Sequence, residues 1–136
     1  MNEVEVRVRY AETDRMGVAW HGHYLAWFEI GRTAWMREAG CPYGELEDDG
    51  GIFFPVIRAA ARYRASARYD DRLRIKTELV KLGGARVGFE YEVRRVETEQ
   101  LLATGSTEHA AIDSTGKPCR LPSELRERLL GQGEAS

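Results

Sequence analysis

Residues 24–39 read YLAWFEIGRTAWMREA, and this stretch decides the fold. Its polar members Glu29, Arg32, Thr33 and Arg37 recur at helical spacing on one narrow stripe, while Tyr24, Leu25, Trp27, Phe28, Ile30, Trp35 and Met36 cover the rest of the circumference. A helix so broadly apolar has to be wrapped by other parts of the chain. Gly40, Cys41 and Pro42 stop it, because glycine accepts the left-handed turn at a helix end and proline cannot continue one.

Upstream, Val4, Val6, Val8 and Tyr10 alternate with Glu3, Glu5, Arg7 and Arg9, so residues 1–10 are expected as a strand with Tyr10 on its inward series. Residues 11–23 break that pattern at Gly17 and Gly22 and concentrate Glu12, Asp14, Arg15, His21 and His23 in one loop. Beyond the helix, after a polar stretch at 45–51, residues 52–113 read as four strands. Ile57, Ala59, Ala61 and Tyr63 oppose arginines; Leu73, Ile75, Thr77 and Leu79 oppose charged neighbours; Val87, Phe89, Tyr91 and Val93 alternate most cleanly; Gly83 and Gly84 mark a hairpin. The last run is dominated by Ala103, Gly105, Ser106, Ala110 and Ala111, as a strand pressed closely against a helix would be. Residues 123–130 close the chain as a short helix that Ser123 can cap. This order gives an α+β domain over residues 1–136, one antiparallel sheet curled around one long apolar helix.

A chain of 136 residues is one ordinary domain, and its 43% hydrophobic and 31% charged residues fit a folded protein. With 20 basic and 22 acidic residues, the net charge of -2 supplies no field for nucleic acid or an anionic membrane, so neither is expected as a partner. No apolar run approaches the ~18 residues that span a bilayer, and the first ten residues alternate charge with apolar groups, which points to the cytoplasm. Cys41 and Cys119 are expected as reduced thiols. Asp14, His21, His23 and His109 do not form a recognisable ligand spacing, and two histidines two residues apart lie on different helical faces, so no metal is expected.

Residues 7–29, RVRYAETDRMGVAWHGHYLAWFE, resemble the opening signature of the 4-hydroxybenzoyl-CoA thioesterase-like branch of the hotdog-fold acyl-CoA thioesterases. Residues 67–73, ARYDDRL, are similar to that family's approach to its third strand, and residues 116–122, GKPCRLP, to its last turn. The resemblance implies a hotdog fold, hydrolysis of an acyl-CoA to a carboxylic acid and free coenzyme A, no cofactor beyond the coenzyme A of the substrate, and a homodimer or homotetramer whose sites borrow residues across subunits. It also implies that Asp14 is the catalytic carboxylate, as nucleophile or as the base that activates water, with Tyr10 and His21 as supporting polar groups. Backbone amides around residues 21–23, at the helix start, are suited to polarise the thioester carbonyl. Substrate contacts are expected from Gly17, Trp20, His23 and Tyr24, and phosphate contacts from Lys81 and Arg86 beside the hairpin and Arg120 in the last turn. Trp20, Trp27, Phe53 and Phe54 could line an acyl pocket or be ordinary core aromatics. His23 stands where the family more often has Asn or Ser, Ala19 where it has a larger aliphatic residue, and Ser66 where Pro is frequent. Two other readings stay open: a hotdog dehydratase or isomerase acting on carrier-bound acyl chains, and a protein that binds acyl thioesters without hydrolysing them.

Overall fold

The computed structural model describes residues 2–48 and 51–135, so Asp49 and Gly50 of the polar stretch lie outside the described residues. Five strands, β1 (Asn2–Arg7), β2 (Val56–Tyr63), β3 (Arg72–Leu82), β4 (Arg86–Arg95) and β5 (Leu101–Ala110), form one antiparallel sheet in the order β1-β3-β4-β5-β2. Helix α1 (His23–Glu38) lies across it; α2 (Tyr43–Asp48) and α3 (Ser123–Ala135) follow α1 and β5. The polar stretch thus contains a helical turn that periodicity did not reveal, and the terminal helix runs past residue 130.

α1 is buried at Tyr24, Trp27, Phe28, Gly31, Arg32, Trp35 and Met36, the spacing of a single helical face. Its far side carries Glu29 and Arg37 together with exposed Leu25 and Ile30. The expectation of a long helix apolar nearly all round is therefore corrected: α1 has 16 residues and one buried face, and a buried arginine sits within that face. Two glycines let the helix and sheet touch. A methyl on Gly31 would stand 2.5 Å from Thr77 Oγ1, and one on Gly105 would stand 2.2 Å from the Phe28 ring. Of the small residues of β5, Gly105 has this contact as its reason. Gly40 (φ +80) ends α1, with the Cys41 amide donating to the Met36 carbonyl at 2.9 Å.

The core is filled by Leu73 and Ile75 of β3 and by Val87, Phe89, Tyr91 and Val93 of β4, facing α1. β2 departs from its expected half-buried alternation: every residue but Ala61 is exposed, and the register shifts between Val56 and Arg58. It is an edge strand, paired on one side only, with β5. β1 also ends sooner than expected. Val8 is buried, but the chain then enters a 3-10 turn at Tyr10–Glu12, and Glu12 takes the inward place while Tyr10 is 78% exposed. The inward reading of Tyr10 fails because the Glu12 carboxylate accepts from the Arg9 amide (2.7 Å) and folds the turn back on itself. Both cysteines are free thiols, and no described helix is long and apolar enough to cross a membrane.

Candidate active site

The loop after β1 is built on two carboxylates with opposite surroundings. Glu12 is 5% exposed; its Oε1 accepts from the Arg9 amide and its Oε2 from Trp27 Nε1 at 3.1 Å, which ties the loop to the buried face of α1. Asp14 is exposed. Its Oδ1 accepts from the amides of Met16 (2.8 Å) and Val18 (3.4 Å), and its own amide donates to the Val18 carbonyl at 2.9 Å. Gly17, at φ +76, makes this tight reversal possible. Among the described residues Oδ2 has no hydrogen-bond partner, so one oxygen is held and the other is open.

The loop returns to α1 through Trp20 and His21. The Trp20 amide donates to the Glu12 carbonyl (3.0 Å), and the Trp20 indole covers Gly22, where a side chain would collide with the ring at 2.2 Å. The Tyr63 hydroxyl donates to the His21 carbonyl at 3.0 Å, with the two rings edge to face at 6.1 Å. At the helix start, the amides of His23 and Tyr24 donate to the carbonyls of Trp20 and His21, whereas those of His21 and Gly22 have no acceptor among the described residues. The expected amide clamp over residues 21–23 thus narrows to His21 and Gly22.

The structure brings Asp14, Gly17, Trp20, His21 and His23 into this one loop and helix start. Trp20 is 55% exposed and meets the rings of both His21 and His23. Tyr10 lies at the start of the same loop, edge to face with Tyr69 at 5.8 Å. Tyr24 is buried, and its hydroxyl accepts from the Ala67 amide at 3.1 Å; burial raises its pKa, so it stays a neutral phenol. Trp27 is likewise committed to the core. Lys81, Arg86 and Arg120 lie elsewhere. Arg7 pairs with Arg72 at one end of β3 and the 83–84 hairpin closes the other, so these cations sit roughly 30 Å from the Asp14 loop of the same chain, the length of an 11-residue strand. Lys81 is paired with Glu108 at 3.6 Å. His109 is also remote and buried, with Nδ1 3.0 Å from the Phe54 carbonyl and Nε2 2.8 Å from Thr107 Oγ1. A groove of about 480 Å³ occupies the outer face of the sheet between Arg62, Lys76, Glu78 and Glu90, away from Asp14.

Sequence reading passed over Glu12 as an anchor and gave no role to Asp71 and Arg95, whose ion pair at 3.1 Å lies directly behind the loop. The aspartate of ARYDDRL was visible as a motif, but its partner, 24 residues later on β4, carried no local signal.

A family model for the thioesterase-like superfamily matches residues 8–129. The acyl-CoA thioesterase YbgC of Haemophilus influenzae is 32% identical over 122 residues, 89% of this chain and 88% of that one. Among solved structures, the protein TT1821 of Thermus thermophilus superposes with a TM-score of 0.91 at 33% identity, covering 97% of this chain and 99% of the other. The DHNA-CoA thioesterase of Staphylococcus aureus does so with 0.89 at 34% identity, covering 98% and 90%.

Proposed function

The chain belongs to the thioesterase-like superfamily, and from that premise we propose that it hydrolyses acyl-CoA thioesters, turning water and an acyl-CoA into a carboxylic acid and free coenzyme A. The observation that carries the reading is the Asp14 carboxylate, held through Oδ1 and open at Oδ2, on the loop that leads to two unengaged amides at the start of α1. Oδ2 either takes a proton from the water that attacks the carbonyl, after which the C–S bond breaks and the CoA thiolate leaves and is protonated, or attacks the carbonyl carbon itself, expelling the thiolate to give a mixed anhydride that water then hydrolyses. The negative charge that develops on the thioester oxygen is met by the amides of His21 and Gly22, where the helix end adds its positive dipole. The imidazole of His21 and the hydroxyl of Tyr10 assist. Coenzyme A enters as part of the substrate, and the reading sets the reaction in the cytoplasm.

The remoteness of the cations supports a homodimer. Antiparallel pairing of two β2 edges would continue the sheet from one copy to the next and set the hairpin end of one beside Tyr63 and His21 of the other. The partner's Lys81, Arg86 and Arg120 could then meet the phosphates of a substrate whose thioester lies at this chain's Asp14. Two such dimers could form a homotetramer.

The test is thiol release from short, medium, long and aromatic acyl-CoA esters. Hydrolysis of at least one is expected, and on the best of them Asp14→Asn lowers turnover by about 10² or more with the fold intact. Binding without turnover of any ester would favour a carrier of acyl thioesters, and wild-type turnover in Asp14→Asn would remove Asp14 from the chemistry.

A further inference from the structure

The segment at 66–71 has no part in the chemistry described above, yet the loop of Asp14 is fastened to it by two backbone hydrogen bonds. The Ala19 amide donates to the Ala67 carbonyl (2.8 Å) and the Tyr69 amide to the Gly17 carbonyl (3.2 Å), and together these two bonds make Val18 and Arg68 an antiparallel bridge. The same three residues, 17–19, include Val18, whose amide and carbonyl hold Asp14. Whatever fixes 66–71 therefore fixes the reactive carboxylate.

Besides the Tyr24 hydroxyl at the Ala67 amide, the side chain that fixes this segment is that of Arg95, at the end of β4. Its guanidinium reaches three acceptors at once: Nε donates to Asp71 Oδ2 at 3.1 Å, Nη2 to the Ser66 carbonyl at 3.0 Å, and Nη1 to Gln100 Oε1 at 2.6 Å. Asp71 Oδ2 also accepts from the Arg68 amide at 2.9 Å, so both ends of the 66–71 turn are held to one side-chain pair. The pair is shielded, with Arg95 18% and Asp71 22% exposed at the side chain, and it spans a turn bent hard enough to put Asp70 at φ +67. Asp70 and Asp71 complete the turn through Val8, whose carbonyl accepts from the Asp70 amide and whose amide donates to the Asp71 carbonyl. Only a planar guanidinium supplies three donors in these directions; a lysine ammonium would satisfy one of them from the same stem.

We propose that Asp71 and Arg95 are positioning residues for thioester hydrolysis, a latch that holds segment 66–71 so that 17–19 present the Asp14 carboxylate in its reactive orientation. The proposal rests on the hydrolase reading for its catalytic half and on the hydrogen-bond geometry alone for its structural half. Small displacements of a reacting group weaken turnover far more than they weaken substrate binding. The latch should therefore act on kcat and leave KM nearly untouched.

Two readouts on the full chain test it. In amide hydrogen exchange, Asp71→Ala and Arg95→Lys are expected to lose protection at Ala19 and Tyr69 while the β3 and β4 amides keep theirs; unchanged protection at Ala19 overturns the latch whether or not the protein hydrolyses anything. In thiol-release kinetics with benzoyl-CoA and hexanoyl-CoA, both variants are expected to lower kcat by about 10-fold with KM within about twofold, and Asp71→Asn, which keeps an oxygen for Arg68 and Arg95, recovers most of that loss. In an Asp14→Asn background the same changes should remove nothing more, since they act through Asp14. An equal further loss there would show that they act elsewhere and overturn the assignment. If the wild type prefers another ester of the panel, the kinetics are read on that one; if it hydrolyses none of them, the hydrolase reading loses its support while the exchange result still decides the latch. Should Asp71→Ala not fold, Arg95→Lys carries both readouts, because it keeps the charge and loses only the fork.

Discussion

Asp14 and Glu12 are two residues apart, and the difference in what they can do comes entirely from their partners. Glu12 spends both oxygens on the Arg9 amide and the Trp27 indole and is buried, so it holds the loop. Asp14 spends one oxygen and is exposed, so it can react. His21 stands between these extremes: its carbonyl is fixed by Tyr63, its amide is open, and its ring is exposed. If the amide is what polarises the thioester, any non-proline residue at 21 keeps that donor. His21→Ala is then expected to slow hydrolysis by roughly 10-fold, less than Asp14→Asn, without an altered pH profile. A loss equal to that of Asp14→Asn, together with a change in the shape of the pH profile, would make the imidazole the base and Asp14 its orienter. Steady-state rates of both variants across pH decide between the two.

At the scale of elements, α1 and the sheet enclose a polar chain as well as an apolar core. Arg32, 8% exposed, donates from Nη1 to the Tyr91 hydroxyl at 3.2 Å; Tyr91 and Thr107 share a hydrogen bond of 2.6 Å; Thr107 meets His109, which meets the Phe54 carbonyl. Tyr91 lies stacked on Phe28 at 4.6 Å, so the chain threads the centre of the helix-sheet contact. Burial, and then the nearby Arg32 cation, push the His109 pKa down from 6.5 to about 4. The consequence for stability has a definite sign. Above about pH 6.5 the imidazole is neutral in both folded and unfolded chains, whereas below it only the unfolded chain takes the proton, so stability falls as the pH drops from about 6.5 toward 4. The full effect is on the order of 3 kcal/mol, from 1.36 kcal/mol for each pKa unit. Thermal midpoints measured from pH 7.5 to 4.5 should fall more steeply for the wild type than for His109→Gln, which can hydrogen-bond but not titrate. Parallel slopes would mean that His109 is not the group that titrates.

The whole molecule raises a different question, because its two sets of candidate site residues are at opposite ends of one sheet. No rotamer change can bring Lys81, Arg86 or Arg120 across the length of β3 to the same chain's Asp14. The exposed β2 edge, with Val56 and Ile57 among its open side chains, provides the geometric route by which a second copy could close that distance. Sedimentation at micromolar concentration is expected to give a mass of at least two chains. A single-chain mass with full hydrolytic activity would show that each chain carries a complete site, and the role given to the remote cations would be lost.

What the sequence determined by itself was what depends on neighbours along the chain. The α+β order, the stop of α1 at Gly40, the hairpin at Gly83 and Gly84, and the cluster of functional groups in one loop all follow from local periodicity and turn chemistry. The resemblance carried by residues 7–29 led to the same family that the comparisons identify. Tertiary structure decided what local pattern cannot express. A 3-10 turn exchanged Tyr10 for Glu12 as the buried residue; β2 was left at an edge despite its alternating sequence; Tyr24 was drawn from the site into the core by the Ala67 amide; and Arg95 was set behind Asp14's loop from more than 80 residues away. For Tyr24 and Arg95 the outcome was set by hydrogen bonds between segments distant in the chain. Periodicity registers which face a side chain prefers, but only the assembled backbone determines which donors and acceptors are there to meet it.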